Sequence, residues 1–167
     1  MKFKLQEYAL AAEVISGIAI IATLIFLVVE TRENTNAIQA QTYQSLTAEL
    51  NEGRRISISP DIAIISQKIR DSGLESLSEL EWNKQMILKE SKWGVYESAY
   101  YAQERGILGI DEWLRFESAI CRNIIIDYLF WYPDKGGPAH ATEVEGYNLA
   151  SNVTPRFRQY VETACEL

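Results

Sequence analysis

Apolar and polar positions divide the chain into a first segment with one long apolar stretch and a second segment with repeated helical patterns. Residues 10–29 are mostly apolar, and the polar region after them keeps apolar residues at steps of three and four as far as Gly53. No proline occurs before Pro60. The pattern predicts one continuous helix from about Tyr8 to about Arg54, apolar on all sides at first and polar later.

The apolar stretch has the length of a membrane span. Its 20 residues, as a helix, cover about 30 Å, the thickness of a bilayer's hydrocarbon layer. Because four polar or small residues interrupt it, a buried helix of a soluble core is the alternative interpretation. A cleaved signal peptide is not expected, since the polar residues after Val29 offer no small-residue cleavage site. The prediction is a retained single-pass anchor in a lipid bilayer.

The charges beside the stretch slightly favour a cytoplasmic N-terminus. Lys2 and Lys4 precede it, and Arg32 alone follows within two turns. Arg54 and Arg55 lie farther along and reduce the contrast. The side of the membrane on which the second segment lies is therefore left open.

Most polar side chains of the stretch fall on one helical stripe, which we call the polar seam. Its members are Glu13, Ser16, Gly17, Ile20, Thr23, Leu27, Glu30 and Asn34. The opposite surface is aliphatic. One interpretation is self-association to a homo-oligomer, with small residues allowing close approach and rings of Glu13 and Glu30 at the two ends; around a lumen, such rings would favour cations. The other is that Glu13 reaches the membrane interface and the stripe is accidental.

The second segment predicts a small helical bundle. Ser59 and Pro60 begin a short helix that Gly73 ends, and a Ser-x-x-Glu capping box at Ser78 begins the longest helix of the bundle, which ends at Gly106. Two further helices are expected at residues 111–131 and after the Thr154-Pro155 pair, with a long connection between them that includes a possible short helix at 139–149. No segment alternates with a period of two. The prediction is an all-α protein with two parts, residues 1–56 and 57–167.

Composition and charge narrow the function classes. The formal charge is −7 and the pI near 4.8. Residues 60–167 carry eleven basic and seventeen acidic side chains, so no nucleic-acid partner is expected.

The two cysteines, Cys121 and Cys165, do not have the spacing of a zinc or redox motif. We interpret them as buried free thiols, with a disulfide in an oxidising compartment as the alternative.

The chain offers no recognisable catalytic set. His140 is the only histidine, so a two-histidine metal site within one chain is excluded, and we recognise no histidine-dependent triad. A metal bound by His140, Glu143 and Glu145 is the weaker alternative to an ordinary loop histidine. The acidic pairs Glu79/Glu81 and Asp111/Glu112 are typical of helix starts, and Trp82, Trp93, Tyr96, Tyr100 and Trp113 have the spacing of core residues. We expect no enzyme activity and no cofactor.

Four stretches carry a resemblance to a known group. They are "IATLIFLVVETRENTNAIQAQTYQ", "SPDIA", "YESAYYAQERGILGIDEW" and "TPRFRQYVE". Together they resemble an uncharacterised family of short bacterial proteins with one N-terminal transmembrane helix and a helical soluble domain. The resemblance implies bacterial origin, membrane location and architecture, and no activity.

The layout is also similar to that of membrane accessory proteins of RNA-targeting CRISPR systems, which form pores and carry domains of the nucleotide-binding helical RNase class. Those domains have four to six residues between an Arg and a His, and here Pro133, Asp134 and Lys135 occupy the positions at that spacing from His140. The leading hypothesis is a non-enzymatic, single-pass protein of the bacterial inner (cytoplasmic) membrane that forms a homo-oligomer and acts as a pore, scaffold or partner-binding platform. The alternative is a membrane-tethered enzyme or ligand sensor with its site near His140. A degenerate nucleotide-binding, RNase-like helical domain used in phage defence is one form of this alternative.

Overall fold

The computed structural model describes residues 2–133 and 148–166. This part of the chain is all-α and contains no strand, as the sequence predicts. Its α-helices are α1 (Lys2–Ser57), α2 (Pro60–Ser72), α3 (Glu79–Glu104), α4 (Ile110–Trp131) and α5 (Pro155–Ala164). Single 3₁₀ turns lie at Leu74–Ser76 and Leu149–Ser151. The expected short helix at 139–149 lies almost entirely outside the described residues.

Helix α1 is continuous, which confirms the prediction of one helix through the apolar and polar regions. No proline interrupts it, and Arg54 and Arg55 lie in its last turn, where positive charge is favourable for the helix dipole. The chain forms two compact units, residues 1–40 and 41–167. The first unit contains only the earlier part of α1, and residues 41–57 of α1 belong to the second unit.

The predicted starts of α3 and α5 are confirmed by their capping contacts. Ser78 accepts a hydrogen bond from the backbone N–H of Glu81, whose side chain accepts one from the backbone N–H of Ser78. Thr154 accepts a bond from the N–H of Phe157 at the start of α5. At the other end of α3, Gly106 has a φ of 69°, a left-handed conformation that glycine adopts without steric cost.

The second unit has an aromatic core between α3 and α4. Trp82 stacks on Phe130 with 4.6 Å between ring centroids, and Trp93 meets Trp131 edge-on at 4.7 Å. The five aromatic residues expected in the core, Trp82, Trp93, Tyr96, Tyr100 and Trp113, are all buried. Helix α2 packs on α3, and α5 packs on α4.

The end of α1 belongs to this second unit. Leu46 is buried in its core, and the ring of Tyr43 meets Phe116 edge-on with 6.2 Å between centroids. The guanidinium of Arg115 donates a hydrogen bond of 3.1 Å to the Tyr43 hydroxyl. Residues 41–57 therefore form one wall of the bundle.

The two cysteines form a disulfide, so the prediction of buried free thiols is wrong and the alternative pairing of the two cysteines is confirmed. Cys121 lies on α4 and Cys165 directly follows α5, with 5.1 Å between their Cα atoms. The bond connects the last helix to α4 across a sequence separation of 44 residues. The prediction failed because the pairing depends on how α5 packs, which local sequence does not reveal.

Candidate functional site

The polar seam lies on α1, within the first unit. All eight of its members are exposed: Glu13, Ser16, Gly17, Ile20, Thr23, Leu27, Glu30 and Asn34. Within the described residues, no hydrogen bond or ion pair involves the carboxylates of Glu13 and Glu30. A Cβ atom placed on Gly17 would meet nothing within 4 Å. The seam is therefore an open surface in a single chain.

One polar group of the seam is satisfied within its own helix. The Thr23 hydroxyl donates a hydrogen bond of 2.9 Å to the backbone carbonyl of Ala19. Its oxygen keeps acceptor capacity, while its proton is engaged. The seam therefore presents acceptor oxygens and small side chains more than free donors.

The aliphatic face of α1 is just as exposed. Ile15 is 67% exposed, Ile18 62% and Ile25 62%. Among the described residues, α1 is the one helix long and apolar enough to cross a membrane, and none of its apolar window is buried. An apolar surface of this size in contact with water would be costly.

A buried ionic cluster joins α3 and α4 in the second unit. The Asp127 side chain is fully buried, and its Oδ1 lies 2.6 Å from Nζ of Lys89. Its Oδ2 lies 2.5 Å from Nζ of Lys92 and accepts a hydrogen bond of 3.0 Å from Nε1 of Trp93. Lys92 also donates to Oδ1 of Asn123 at 3.0 Å. Both carboxylate oxygens are thus fully engaged.

Burial and charge act in opposite directions on the pKa values of this cluster. Burial disfavours the charged carboxylate of Asp127, but the two lysine ammonium groups outweigh it and hold its pKa below the usual value. Burial, with the neighbouring charge of Lys89, lowers the pKa of Lys92, and Asp127 offsets this only in part. One carboxylate is therefore shared by two cations.

A cavity of about 380 Å³ adjoins the cluster, a size in the range of small-molecule sites. Residues of α1, α2, α3 and α4 line it, all within the second unit. Its basic residues are Arg54, Lys89, Lys92 and Arg122, against one lining carboxylate, Glu49. The arrangement provides many hydrogen-bond donors and suits an electron-rich ligand.

Gln85 adds an unusual donor to this cavity. Its side chain lines the cavity and is only 4% exposed. The buried Nε2 donates no hydrogen bond to any described residue. Since buried donors normally find an acceptor, this donor carries a desolvation cost.

Sequence reasoning missed this cluster and cavity. The periodicity of α4 places Asp127 on the buried face, where an acidic residue signals a buried partner. The partners lie 35 and 38 residues away, and no local motif links them.

The acidic pair Glu79/Glu81 lies at a helix start, and so does Asp111/Glu112, in agreement with the prediction. The suggested metal ligands His140, Glu143 and Glu145 lie outside the described residues, among which no group could hold a metal ion.

Comparisons of the chain with protein-family models, curated proteins and solved structures find no match. The function is therefore inferred from the geometry of the polar seam, the disulfide and the cavity.

Proposed function

We propose that this chain is a single-pass membrane protein that self-associates through the polar seam and holds its helical domain as a scaffold or partner-binding platform. The observation that carries the proposal is the complete exposure of both faces of α1 over residues 12–30. Lipid is a suitable environment for the aliphatic face. It is a poor one for the polar seam, because lipid chains offer no hydrogen bonds.

A second copy of the same helix would resolve this conflict. Ser16 and Gly17 allow two backbones to approach closely, which gains van der Waals contact that lipid cannot replace. Glu13 and Glu30, near the two ends of the span, would face neighbouring copies or water at the membrane surfaces. In an assembly that encloses a lumen, these two acidic rings would favour cations.

The disulfide supports an assignment of sidedness. Disulfides persist in oxidising compartments and are rare in the cytosol. The helical domain that contains Cys121 and Cys165 therefore belongs on the oxidising side, the periplasm if the chain is bacterial as its resemblance suggests. Lys2 and Lys4 then lie on the cytoplasmic side, in the orientation that positive flanking charges favour.

Cysteine crosslinking in the membrane tests the self-association. The native cysteines are paired and leave no free thiol, so single introduced cysteines report only on their own positions. Ser16→Cys, Thr23→Cys and Leu27→Cys are expected to form crosslinked dimers under mild oxidation. Ile18→Cys and Ile25→Cys, on the lipid-facing side, serve as matched controls and should stay monomeric. Equal crosslinking at all five positions, or none at any, would contradict the proposal.

A further inference from the structure

The cavity beside Asp127 is cationic although the unit that contains it is acidic. Residues 41–167 carry 13 basic and 19 acidic side chains. Four of the basic ones line the cavity, and two acidic residues offset them, Glu49 at its wall and Asp127 behind it. Two positive charges remain in excess at this one place. Such a local excess favours a ligand with two negative charges.

The two arginines of the cavity are available to a ligand. Arg122 is exposed and forms no hydrogen bond or ion pair with any described residue. Arg54 donates a single hydrogen bond, from Nη1 to the Asn51 side chain at 3.0 Å, and keeps its other N–H groups. Guanidinium groups bind tetrahedral oxyanions through paired N–H donors, and two of them at one cavity suit a phosphate better than a carboxylate.

The lysines and Gln85 complete the set of donors. Each ammonium has three N–H donors: Asp127 engages one from Lys89 and one from Lys92, and Asn123 engages a second from Lys92. Nε2 of Gln85 is buried without an acceptor. A ligand oxygen that accepts from this N–H group would offset the cost of its burial.

We propose that this cavity binds the phosphate group of a small phosphorylated molecule, held by Arg54 and Arg122 with Lys89, Lys92 and Gln85 as further donors. Leu50, Ile62 and Leu88 line the same cavity and contact the rest of the ligand. The volume of about 380 Å³ leaves room for more than the phosphate itself. This site does not depend on self-association through the polar seam, so either proposal can fail alone.

The test is a calorimetric titration of the full chain with inorganic phosphate near neutral pH, in nanodiscs of phosphatidylcholine at constant ionic strength. Saturable binding is expected. The double variant Arg54→Ala, Arg122→Ala should weaken it about tenfold or more, since it removes charge-assisted hydrogen bonds. Arg55→Ala, which removes the same charge from the neighbouring position of α1 outside the cavity, should leave it within about twofold.

A second variant separates ligand binding from folding. Gln85→Leu keeps the approximate size of the side chain and removes a donor that has no partner among the described residues, so the fold should tolerate it. It should weaken phosphate binding about fivefold, the effect of one hydrogen bond. An unchanged affinity in this variant and in the double arginine variant would overturn the site.

Nanodiscs that contain phosphatidic acid distinguish a soluble ligand from a lipid headgroup. If the titration is unchanged there, the natural ligand is a soluble phosphate. If the lipid suppresses it, the same phosphate chemistry is supplied by the membrane. Absence of saturable binding in the millimolar range in phosphatidylcholine, or equal weakening by Arg55→Ala, would contradict the proposal.

Discussion

The carboxylate of Asp127 and the ammonium of Lys89 form an ion pair of 2.6 Å across the interface of α3 and α4, with the Asp127 side chain fully buried. Lys92 shares the same carboxylate. Two lysines that are mostly withdrawn from solvent thus depend on one negative charge. Loss of Asp127 should therefore be strongly destabilising.

Asp127→Ala is expected to destabilise the domain by about 3–5 kcal/mol, because it leaves two partly buried ammonium groups without a counter-charge. Urea unfolding of the full chain in detergent, followed by the fluorescence of the core tryptophans, measures this loss. Glu52→Gln is the control: it removes the carboxylate from an exposed ion pair with Arg55 and should leave the urea concentration at the unfolding midpoint unchanged. A loss below about 1 kcal/mol for Asp127→Ala would mean that the lysines find other partners.

Removal of the disulfide by Cys121→Ser and Cys165→Ser together should destabilise the domain by about 4 kcal/mol on the chain-entropy model for a separation of 44 residues. Reducing agent should cause the same loss in the natural sequence and none in the double variant. Thermal unfolding with and without dithiothreitol provides the measurement. A natural sequence that is insensitive to reducing agent would contradict the bond and the sidedness argued from it.

The stability of the domain should fall in acid partly through Glu81. Hydrogen bonds from Lys68 and from Ser78 lower the pKa of Glu81 from 4.5 to about 2. Because the folded-state pKa is the lower one, the stabilisation is fully present above about pH 4.5 and is lost as the pH falls towards 2.

Glu81→Gln should therefore reduce the dependence of the unfolding free energy on pH between about 4.5 and 2. Glu79→Gln is the matched control, because it removes the same charge from the same first turn of α3 and none of these hydrogen bonds. Urea unfolding at a series of pH values compares the two. Identical pH dependence in both variants would show that Glu81 is not the responsible group.

The parts of the fold that the sequence predicted are those with local causes. The pairs Ser59–Pro60 and Thr154–Pro155 and the capping box at Ser78 place three helix starts within a residue or two, because each depends on neighbours within one turn. The core positions of α3 and α4 follow from helical spacing.

The parts that the sequence did not predict depend on tertiary packing. Asp127 meets its lysines only because α3 and α4 pack face to face, and Cys121 meets Cys165 only because α5 packs on α4. The cavity forms only where residues of α1, α2, α3 and α4 come together. The members of the polar seam, in contrast, all lie on the single helix α1, so helical spacing alone predicts that they share a stripe. Their role in self-association is a proposal that the crosslinking experiment tests.

Self-association through the polar seam is tested most directly by the mass of the full chain in nanodiscs, measured by native mass spectrometry beside the variant Glu13→Leu, Thr23→Leu. We expect a discrete assembly of several copies that this variant dissociates. The lipid-face control Ile18→Leu, Ile25→Leu should keep the assembly intact. A monomeric natural chain, or an assembly that the seam variant leaves unchanged, would contradict self-association through the polar seam.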